Sequence, residues 1–506
     1  FGLFLGLLLV ACPARGRAQL SDSRTLFIGE GAQGLATAYT AVADGPTAAF
    51  HNPAGLASAR STSLSSSLTL LNVDRLVIDG GFGSPGGVRD LDSGTGFDFP
   101  FSIGFNAKLG PEDDPAERRN SLAFTTFSPL RRSLRFDVQV DAGGAVDQLR
   151  VDRRDTATWY GLSYARRLTD RWSAGASVFV ASRTVEHVES QTAFVDGGPP
   201  RDDGTFTESV IDARDNRTRV TARHLLARLG VLWQATPRLR LGAMLQPPGI
   251  PVGGDGEVRT LQVESDLTTD PPGARRQQLR QTGLSASLPI PWELRIGTRY
   301  LVEDETTLVV DAGLTGWQRR IDLVDLPAER QPGVDGADPL SDQSIVGFFL
   351  PRRFTQRAAA NFAVGMSGKV RPRVPIRGGL FFESPTAGPV PESSDRYAPI
   401  RFWTVGASIG VGFRNRLIDL DLGLVAQLGF GEASGLDPNR PDPGAPGYVR
   451  RDARRFGFLV FLGGYKATAS RLAEAAYEQV LGGEMTGEDP GDGAGDDDED
   501  REGRSK

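Results

Sequence analysis

The chain of 506 residues lacks any apolar run long enough to cross a membrane as a helix. A spanning helix needs about 20 consecutive apolar residues, whereas the longest run here covers residues 1–11. Hydrophobic residues make up 39% of the chain and charged residues 24%, which excludes a bundle of membrane helices. A membrane β-barrel is not excluded, because its wall alternates apolar and polar residues and its mean hydropathy resembles that of a soluble protein.

Cysteine and histidine are also scarce. The only cysteine is Cys12, so a disulfide framework and a cysteine-based metal site are excluded. The histidines His51, His187 and His224 lack the pair spacing of a metal site, and no Gly-x-Ser-x-Gly motif accompanies them. We expect ordinary surface or lumen histidines, no metal, no cofactor and no enzymatic activity, although a Ser–His–acid site depends on spatial geometry and stays open at this stage.

The net charge of −6 arises from one end of the chain. Residues 484–506 contain ten acidic and three basic side chains, which leaves the other residues near +1. Nucleic-acid binding needs a basic face for phosphate contacts, so we expect no nucleic-acid partner. The acidic stretch has no aromatic residue and is expected to be disordered, whereas residues 468–482 have a weakly helical pattern.

The first residues resemble a targeting segment. Residues 1–11 suit the apolar core of a signal peptide, and Gly16 and Ala18 are small residues at the −3 and −1 positions of a cleavage site. We therefore predict a signal peptide over residues 1–18. Leu9 to Cys12 also resembles a lipobox, which would make Cys12 a lipidated N-terminus, but Pro13 fits that alternative poorly.

Strict alternation of apolar and polar residues is the dominant pattern, and it indicates β-strands. In the longest example, apolar residues occupy every second position from Ile418 to Phe430, with Asp419, Asp421 and Gln427 between them. One oily face and one small or polar face fit a strand between lipid and a wet lumen, and the strands of a soluble β-sandwich are shorter, about five or six residues. Other alternating sets are Phe97, Phe99, Phe101, Ile103, Phe105, Ala107 and Leu109; Leu239, Leu241, Ala243 and Leu245; and Trp292, Leu294, Ile296, Thr298 and Tyr300.

The connections between these segments alternate in length, which is typical of an outer-membrane barrel with short turns on one rim and long loops on the other. The sequence predicts short turns at 167–171, 235–238, 302–306, 370–374 and 414–416. It predicts long links near 189–217, 248–282, 319–354, 385–400 and 431–452. We predict an all-β transmembrane antiparallel barrel over residues 61–465, with 12 to 16 strands and an even number.

The segment 24–60 has no long alternation and is rich in alanine and glycine, so it is either a small plug or a periplasmic lead-in. It contains Gly31, Gly34, Tyr39 and Asp44, followed by Asn52-Pro53-Ala54-Gly55. Together with later blocks in the same order, among them 233–242, 288–297 and 311–317, these residues resemble the FadL/TodX family of outer-membrane transporters for long-chain fatty acids and hydrocarbons.

The resemblance implies a barrel of 14 strands, with residues 19–60 folded inside the lumen as a plug. It also implies capture of a hydrophobic ligand by outer loops and sideways release where a strand kinks. Gly31, Gly34, Tyr39, Asp44, Asn52, Pro53 and Gly55 are the motif positions of the plug. Asn52-Pro53 suits either a static turn or a turn that moves on ligand binding. Pro100 cannot donate a ladder hydrogen bond, so it either begins a strand or kinks the wall open.

Two departures from the family leave alternatives open. The last predicted strand holds Phe456, Phe458, Val460 and Leu462, yet about 40 residues follow it. We expect residues 466–506 to be a periplasmic extension, which could recruit a periplasmic partner. The alternatives to transport are a barrel for protein interaction, secretion or surface attachment, and a non-selective porin. The expected partners are the hydrophobic ligand, outer-membrane lipid and the barrel-assembly machinery.

Aromatic residues near predicted strand ends suit the interfacial girdles of a barrel, with core packing as the alternative. They are Trp159, Tyr160, Trp172, Trp292, Trp317, Trp403 and Tyr465.

Overall fold

A computed structural model describes the chain over residues 28–59, 62–84, 87–93, 100–110, 118–142, 145–195, 210–266, 273–303, 305–326, 345–414, 419–439 and 447–467. The predicted signal peptide, Cys12 and the C-terminal residues 468–506 lie outside these ranges. None of the helices in the described ranges is long and apolar enough to cross a membrane.

The described residues form two short α-helices, one 3-10 helix and twenty strands. The helices are α1 (Glu30–Gly34), α2 (Ala48–His51) and the 3-10 helix Pro53–Ser58. The first ten strands are β1 (Ser63–Ser84), β2 (Gly87–Asp92), β3 (Phe101–Leu109), β4 (Asn120–Ala142), β5 (Ala145–Arg167), β6 (Trp172–Val195), β7 (Val210–Gln234), β8 (Leu239–Gln246), β9 (Ile250–Asp266) and β10 (Gly273–Leu284). The others are β11 (Glu293–Glu303), β12 (Thr306–Thr315), β13 (Gln318–Asp322), β14 (Arg353–Gln356), β15 (Ala359–Arg371), β16 (Val374–Glu383), β17 (Ser393–Ser394), β18 (Arg401–Arg414), β19 (Asp419–Leu436) and β20 (Tyr448–Ala467).

Fourteen of the described strands form a closed antiparallel barrel, as predicted. In order around the wall they are β1, β3, β4, β5, β6, β7, β8, β11, β12, β15, β16, β18, β19 and β20. β20 pairs with β1 from Ser63↔Ala467 to Ile78↔Ala453 and closes the ring. Because the ring is closed, every strand in it has a paired neighbour on each side. A membrane barrel satisfies its backbone hydrogen bonds in this way.

The alternation in the sequence sets the two faces of the wall. On β19, Leu420, Leu422, Leu424 and Leu428 point outward and are 41% to 54% exposed, whereas Asp421 points inward and is buried. The same outward apolar band continues on β3 and β8. Such a band is typical of the lipid-facing surface of a membrane barrel. Phe97, Phe99 and Ile418 of the alternating sets lie outside the described residues.

Two sequence-based expectations were wrong. The described parts of the links near 189–217 and 248–282 are strand at 189–195, 210–217, 250–266 and 273–282, because β6, β7, β9 and β10 continue far beyond the apolar band. Trp159 does not belong to an interfacial girdle. It points into the lumen and is only 6% exposed, since it packs on the inner segment described below. Trp172 and Trp233 do lie outward at a strand end, stacked with ring centroids 5.3 Å apart.

Candidate functional site

The N-terminal residues 28–59, here called the inner segment, pack against the inward face of the barrel wall. α1 contacts β16, β18, β19 and β20, and the 3-10 helix contacts β4, β5, β6 and β7. Most side chains of the segment are buried, among them Phe50 and Leu56 with no exposed surface. The segment therefore fills the part of the lumen that the apolar band surrounds.

Wall glycines make room for the inner segment. Gly175 of β6 is paired with Gly230 of β7, Gly242 of β8 with Gly297 of β11, and Gly365 of β15 with Gly379 of β16. A Cβ atom at any of the six would collide with the inner segment: at Gly242 it would lie 2.6 Å from the carbonyl oxygen of Thr40, and at Gly379 2.8 Å from the carbonyl carbon of Leu35. Part of the high glycine content is thus explained by close backbone approach.

Asn52 ties the inner segment to itself and to the wall. Its Nδ2 donates to the carbonyl oxygen of Thr40 at 2.9 Å and to that of Val231, on β7, at 3.1 Å. Its Oδ1 accepts from the backbone N–H of Ala54 at 3.2 Å, and Pro53 begins the 3-10 helix. Asn52 is fully buried, so all of these bonds form without competition from water.

The other motif positions belong to the same packed unit. The Tyr39 hydroxyl donates to Asp44 Oδ1 at 2.7 Å, and Asp311 Oδ2 on β12 accepts from the backbone N–H groups of Tyr39 and Thr40 at 2.9 and 2.8 Å. A Cβ on Gly31 would meet the Tyr39 ring, on Gly34 the Arg377 side chain, and on Gly55 the carbonyl of Ala43. These residues therefore shape the segment and its docking, whereas Pro100 lies elsewhere, in the wall.

A buried arginine that sequence reasoning missed anchors the centre of the inner segment. Arg228 of β7 donates to the carbonyl oxygen of Phe50, to Gln246 Oε1 at 2.9 Å and to Glu293 Oε2 at 3.2 Å. Its guanidinium lies 3.8 Å from the centroid of the Phe50 ring, a cation–π contact. Glu293 also pairs with Arg295 at 2.5 Å, so one buried carboxylate lies between two buried arginines.

His51 is part of this packing. Its Nε2 lies 2.8 Å from the carbonyl oxygen of Ile28. Burial, with the nearby charge of Arg295, lowers the pKa of His51 to about 3, so the ring is neutral and Nε2–H donates to that carbonyl. Within the described ranges no group of three or more His, Cys, Asp or Glu residues could hold a metal ion.

A second packed segment lies in the lumen at the end of the barrel opposite the short turns, and it and the inner segment are here called the two seals. Residues 345–350, here called the outer cap, are apolar apart from one glycine and have at most 3% of their surface exposed at Ile345, Val346, Phe348, Phe349 and Leu350. Ile345, Val346 and Leu350 pack in one cluster with the inner faces of β6, β7, β9 and β10. Phe348 and Phe349 pack in another with β1, β4, β5 and β20. The cap thus joins two apolar clusters of the lumen.

One buried carboxylate fastens the outer cap to the wall. Glu189 of β6, 1% exposed, accepts the backbone N–H groups of Phe348 at 2.7 Å and Phe349 at 2.9 Å. His187 Nε2 lies 3.2 Å from the same carboxylate, so this histidine is also a structural partner. Further bonds come from the hydroxyls of Thr218, Thr260 and Tyr448, which donate to cap carbonyls.

A small chamber lies between the two seals. Two adjoining cavities of about 80 and 50 Å³ share Asp74 of β1, Arg132 of β4 and Arg455 of β20. Arg455 holds Asp74 through two hydrogen bonds of 2.7 Å, and Arg132 lies 3.4 Å from the same carboxylate. Among the described lining residues, the two arginines exceed this aspartate in charge, and they lie beside the apolar side chains of Leu134, Ile400 and Phe402.

The wall beside the chamber is irregular at three neighbouring strands. β1 bulges between Thr69 and Leu71, and β4 shifts register between Phe127 and Leu130, at Ser128-Pro129. Between them, β3 begins only after Pro100, whose carbonyl oxygen accepts from the N–H of Thr69 at 3.1 Å. Pro100 therefore lies directly before β3, a short strand between two strands of 22 and 23 residues.

Comparison with known proteins gives a match at the level of structure. No family model and no curated protein sequence matches the chain. A crystal structure of a Pseudomonas aeruginosa FadL homologue aligns over 90% of this chain and 100% of its own, with 15% identity and a TM-score of 0.56. The P. putida toluene transporter TodX aligns over 88% of this chain and 99% of its own, with 12% identity and a TM-score of 0.57.

The chain has the fold of FadL and TodX. This confirms the barrel fold that the FadL/TodX resemblance of residues 31–57 and the later blocks implied. The alignment reaches nearly the full length of both relatives, so the 14-stranded wall is common to all three chains. At 12% to 15% identity, the comparison establishes the fold and leaves the ligand to be argued from the chain itself.

Proposed function

We propose that this protein transports hydrophobic small molecules across the bacterial outer membrane, with long-chain fatty-acid-like amphiphiles as the favoured ligands. The observation that carries the proposal is the lumen closed at two levels around a chamber that is both apolar and positively charged. A non-selective porin needs an open aqueous lumen, whereas the described lumen is filled by the inner segment and the outer cap. Relatives of the same fold are a FadL homologue and a toluene transporter.

The chamber chemistry supports an amphiphile over a neutral hydrocarbon. Arg132 and Arg455 exceed Asp74 in charge, and arginine pairs well with carboxylates. Leu134 and Phe402 offer apolar surface in the same cavity, where each Å² buried contributes about 25 cal/mol. Cavities of about 80 and 50 Å³ are far smaller than the ~300–1,000 Å³ of usual ligand pockets, so binding requires the outer cap to move.

We propose that the inner segment acts as the plug and that the ligand leaves sideways through the wall above it. Asn72 of β1 and Leu130 of β4 line the same cavity, and Pro100 and Pro129 lie beside them. Among the described residues, no strand pairs with Leu70 to Asp74 on the side that faces β4. The register is irregular at this level in β1 and in β4, and an irregular ladder opens at lower cost than a regular one.

The first test measures uptake of a labelled long-chain fatty acid and of toluene by cells with and without the barrel. Uptake of the fatty acid that depends on the barrel supports the proposal, and equal uptake by both cell types contradicts it. Barrel-dependent uptake of toluene alone would support the transport function and contradict the proposed preference for fatty acids.

The second test joins Asn72→Cys to Leu130→Cys with a short bifunctional thiol reagent. If the ligand exits here, cross-linking should abolish uptake, and cleaving the linker should restore it. The matched control joins Leu122→Cys to Tyr164→Cys, two exposed residues directly opposite each other in the continuous β4–β5 ladder, and should not affect uptake. Unchanged uptake after complete cross-linking of the first pair would place the exit elsewhere.

A further inference from the structure

Three arginines lie side by side on the outside of the barrel extension. Arg217 of β7 is directly opposite Arg259 of β9, and Arg259 is directly opposite Arg280 of β10. All three are exposed, and the side chains of Arg217 and Arg280 are 57% and 66% exposed. Like charges directly opposite each other destabilise neighbouring strands, so a row of three is unfavourable unless an anion joins them.

The surroundings only partly neutralise this row. Arg219 and Arg223 point to the same outward face of β7, which makes five arginines. Glu186 pairs with Arg217 at 2.7 Å and Glu257 with Arg280 at 3.5 Å, and Asp215 and Asp255 are further acidic residues on this face. Arg259, at the centre, forms no ion pair with any residue in the described part of the chain. We call these five residues the arginine patch.

The arginine patch begins where the apolar band ends. On the outward face of β7, the exposed residues Leu229 and Leu225 are followed by Arg223, Arg219 and Arg217. Arg223 lies two residues, about 7 Å, from Leu225, and Arg217 lies eight residues, about 26 Å, from it along the strand. The patch is on the side of the long strands and the outer cap, which is opposite to the short turns. An acyl chain packed on the apolar band would thus place its head group beside Arg223, and phosphorylated sugars that extend outward from that head group would reach Arg219 and Arg217.

We propose that the arginine patch binds the phosphate groups of lipopolysaccharide in the outer leaflet. A phosphate between Arg217 and Arg259 would replace repulsion with charge-assisted hydrogen bonds, for which the planar guanidinium is well suited. Continuity with the lipid-facing band favours an acyl-anchored phosphate over a free one, since the membrane holds the head group at this height. The proposal requires the outer-membrane location and is independent of transport.

The test compares purified wild-type barrel in detergent with the triple variant Arg217→Gln, Arg259→Gln, Arg280→Gln. Phosphorylated rough lipopolysaccharide, its dephosphorylated form and inorganic phosphate are added separately, and retained lipid per barrel and the shift in Tm are measured. The wild type should bind phosphorylated lipopolysaccharide at least tenfold more tightly than the variant. Without lipid, the variant should be as stable as the wild type or more stable, because the repulsion is gone.

The matched control is the triple variant Arg75→Gln, Arg135→Gln, Arg454→Gln. These arginines are also exposed, but each is paired with an aspartate and none has another arginine directly opposite it, so lipid binding should not change. Equal loss in both triple variants would mean a general charge effect and would overturn the proposal. So would equal binding by the wild type and the patch variant, equal binding of dephosphorylated lipid, or an equal Tm shift with inorganic phosphate.

Discussion

The substitution Glu189→Gln should loosen the outer cap. The carboxylate accepts two N–H groups of the cap at 2.7 and 2.9 Å in a buried setting. Glutamine keeps one acceptor oxygen and places an NH₂ group against the second N–H. Losing one hydrogen bond to a charged group costs about 1.5–3 kcal/mol, which raises the open population of the cap about 10- to 140-fold.

Cap opening can be measured with a single reporter thiol at Val346→Cys, a fully buried cap position. When closing is fast, the rate of modification by a bulky thiol reagent follows the open population. The control is Glu186→Gln on the same strand, an outward residue that pairs with Arg217 and lies on the face away from the cap. Equal modification rates in the two variants would refute the assignment of Glu189 as the fastening group.

Two further predictions concern the inner segment. Gly242→Ala would place a Cβ 2.6 Å from the carbonyl oxygen of Thr40, and it should increase hydrogen exchange across residues 28–59 at least tenfold. The control Gly378→Ala has space for a Cβ, whose nearest atom would be 3.6 Å away, and it should leave hydrogen exchange unchanged. Burial raises the pKa of Glu30 from 4.5 to about 7, so the segment is most stable below pH 4.5 and loses stability as pH rises towards 7. Hydrogen exchange at residues 28–44, corrected for its intrinsic pH dependence, should therefore be greater at pH 8 than at pH 5. Glu30→Gln should remove this difference between the two pH values, and a difference that persists in the variant would contradict the reasoning.

Sequence alone could predict the wall because its pattern is local. Period-two alternation on β3, β8, β11 and β19 directly reflects which residues face lipid, and the short turns follow from where alternation stops. It failed on the upper halves of β6 and β7, since the outward residues there change from leucine and valine to arginine, glutamate and threonine. A strand with two polar faces gives no apolar period, although its ladder remains complete from Trp172↔Trp233 to Val195↔Val210.

Sequence could not predict the contacts that join distant parts of the chain. Glu189 has no local signature, and its partner Phe348 lies 159 residues away. The alternation of β7 predicts that Arg228 points into the lumen. It does not predict the hydrogen bond from Arg228 to Phe50, which lies 178 residues earlier. The motif residues around Asn52 could be recognised only by resemblance. Their segment packs against glycine pairs on six different strands, and no local sequence pattern reveals such contacts.

The two seals differ in what a hydrophobic ligand can replace. The outer cap is held mainly by contacts between apolar side chains, and a ligand that enters the mouth offers the same kind of surface, so the exchange costs little apart from the bonds to Glu189. The inner segment is held by backbone hydrogen bonds from Asn52 and Asp311 and by buried charges around Arg228, none of which an alkyl chain can supply. A hydrophobic ligand should therefore displace the cap and stop above the inner segment. On the proposed route the ligand leaves at this height through the irregular wall between β1 and β4, beside Pro100 and Pro129. On this reasoning Glu189→Gln should speed uptake, whereas cross-linking Asn72→Cys to Leu130→Cys should stop it even in the Glu189→Gln background.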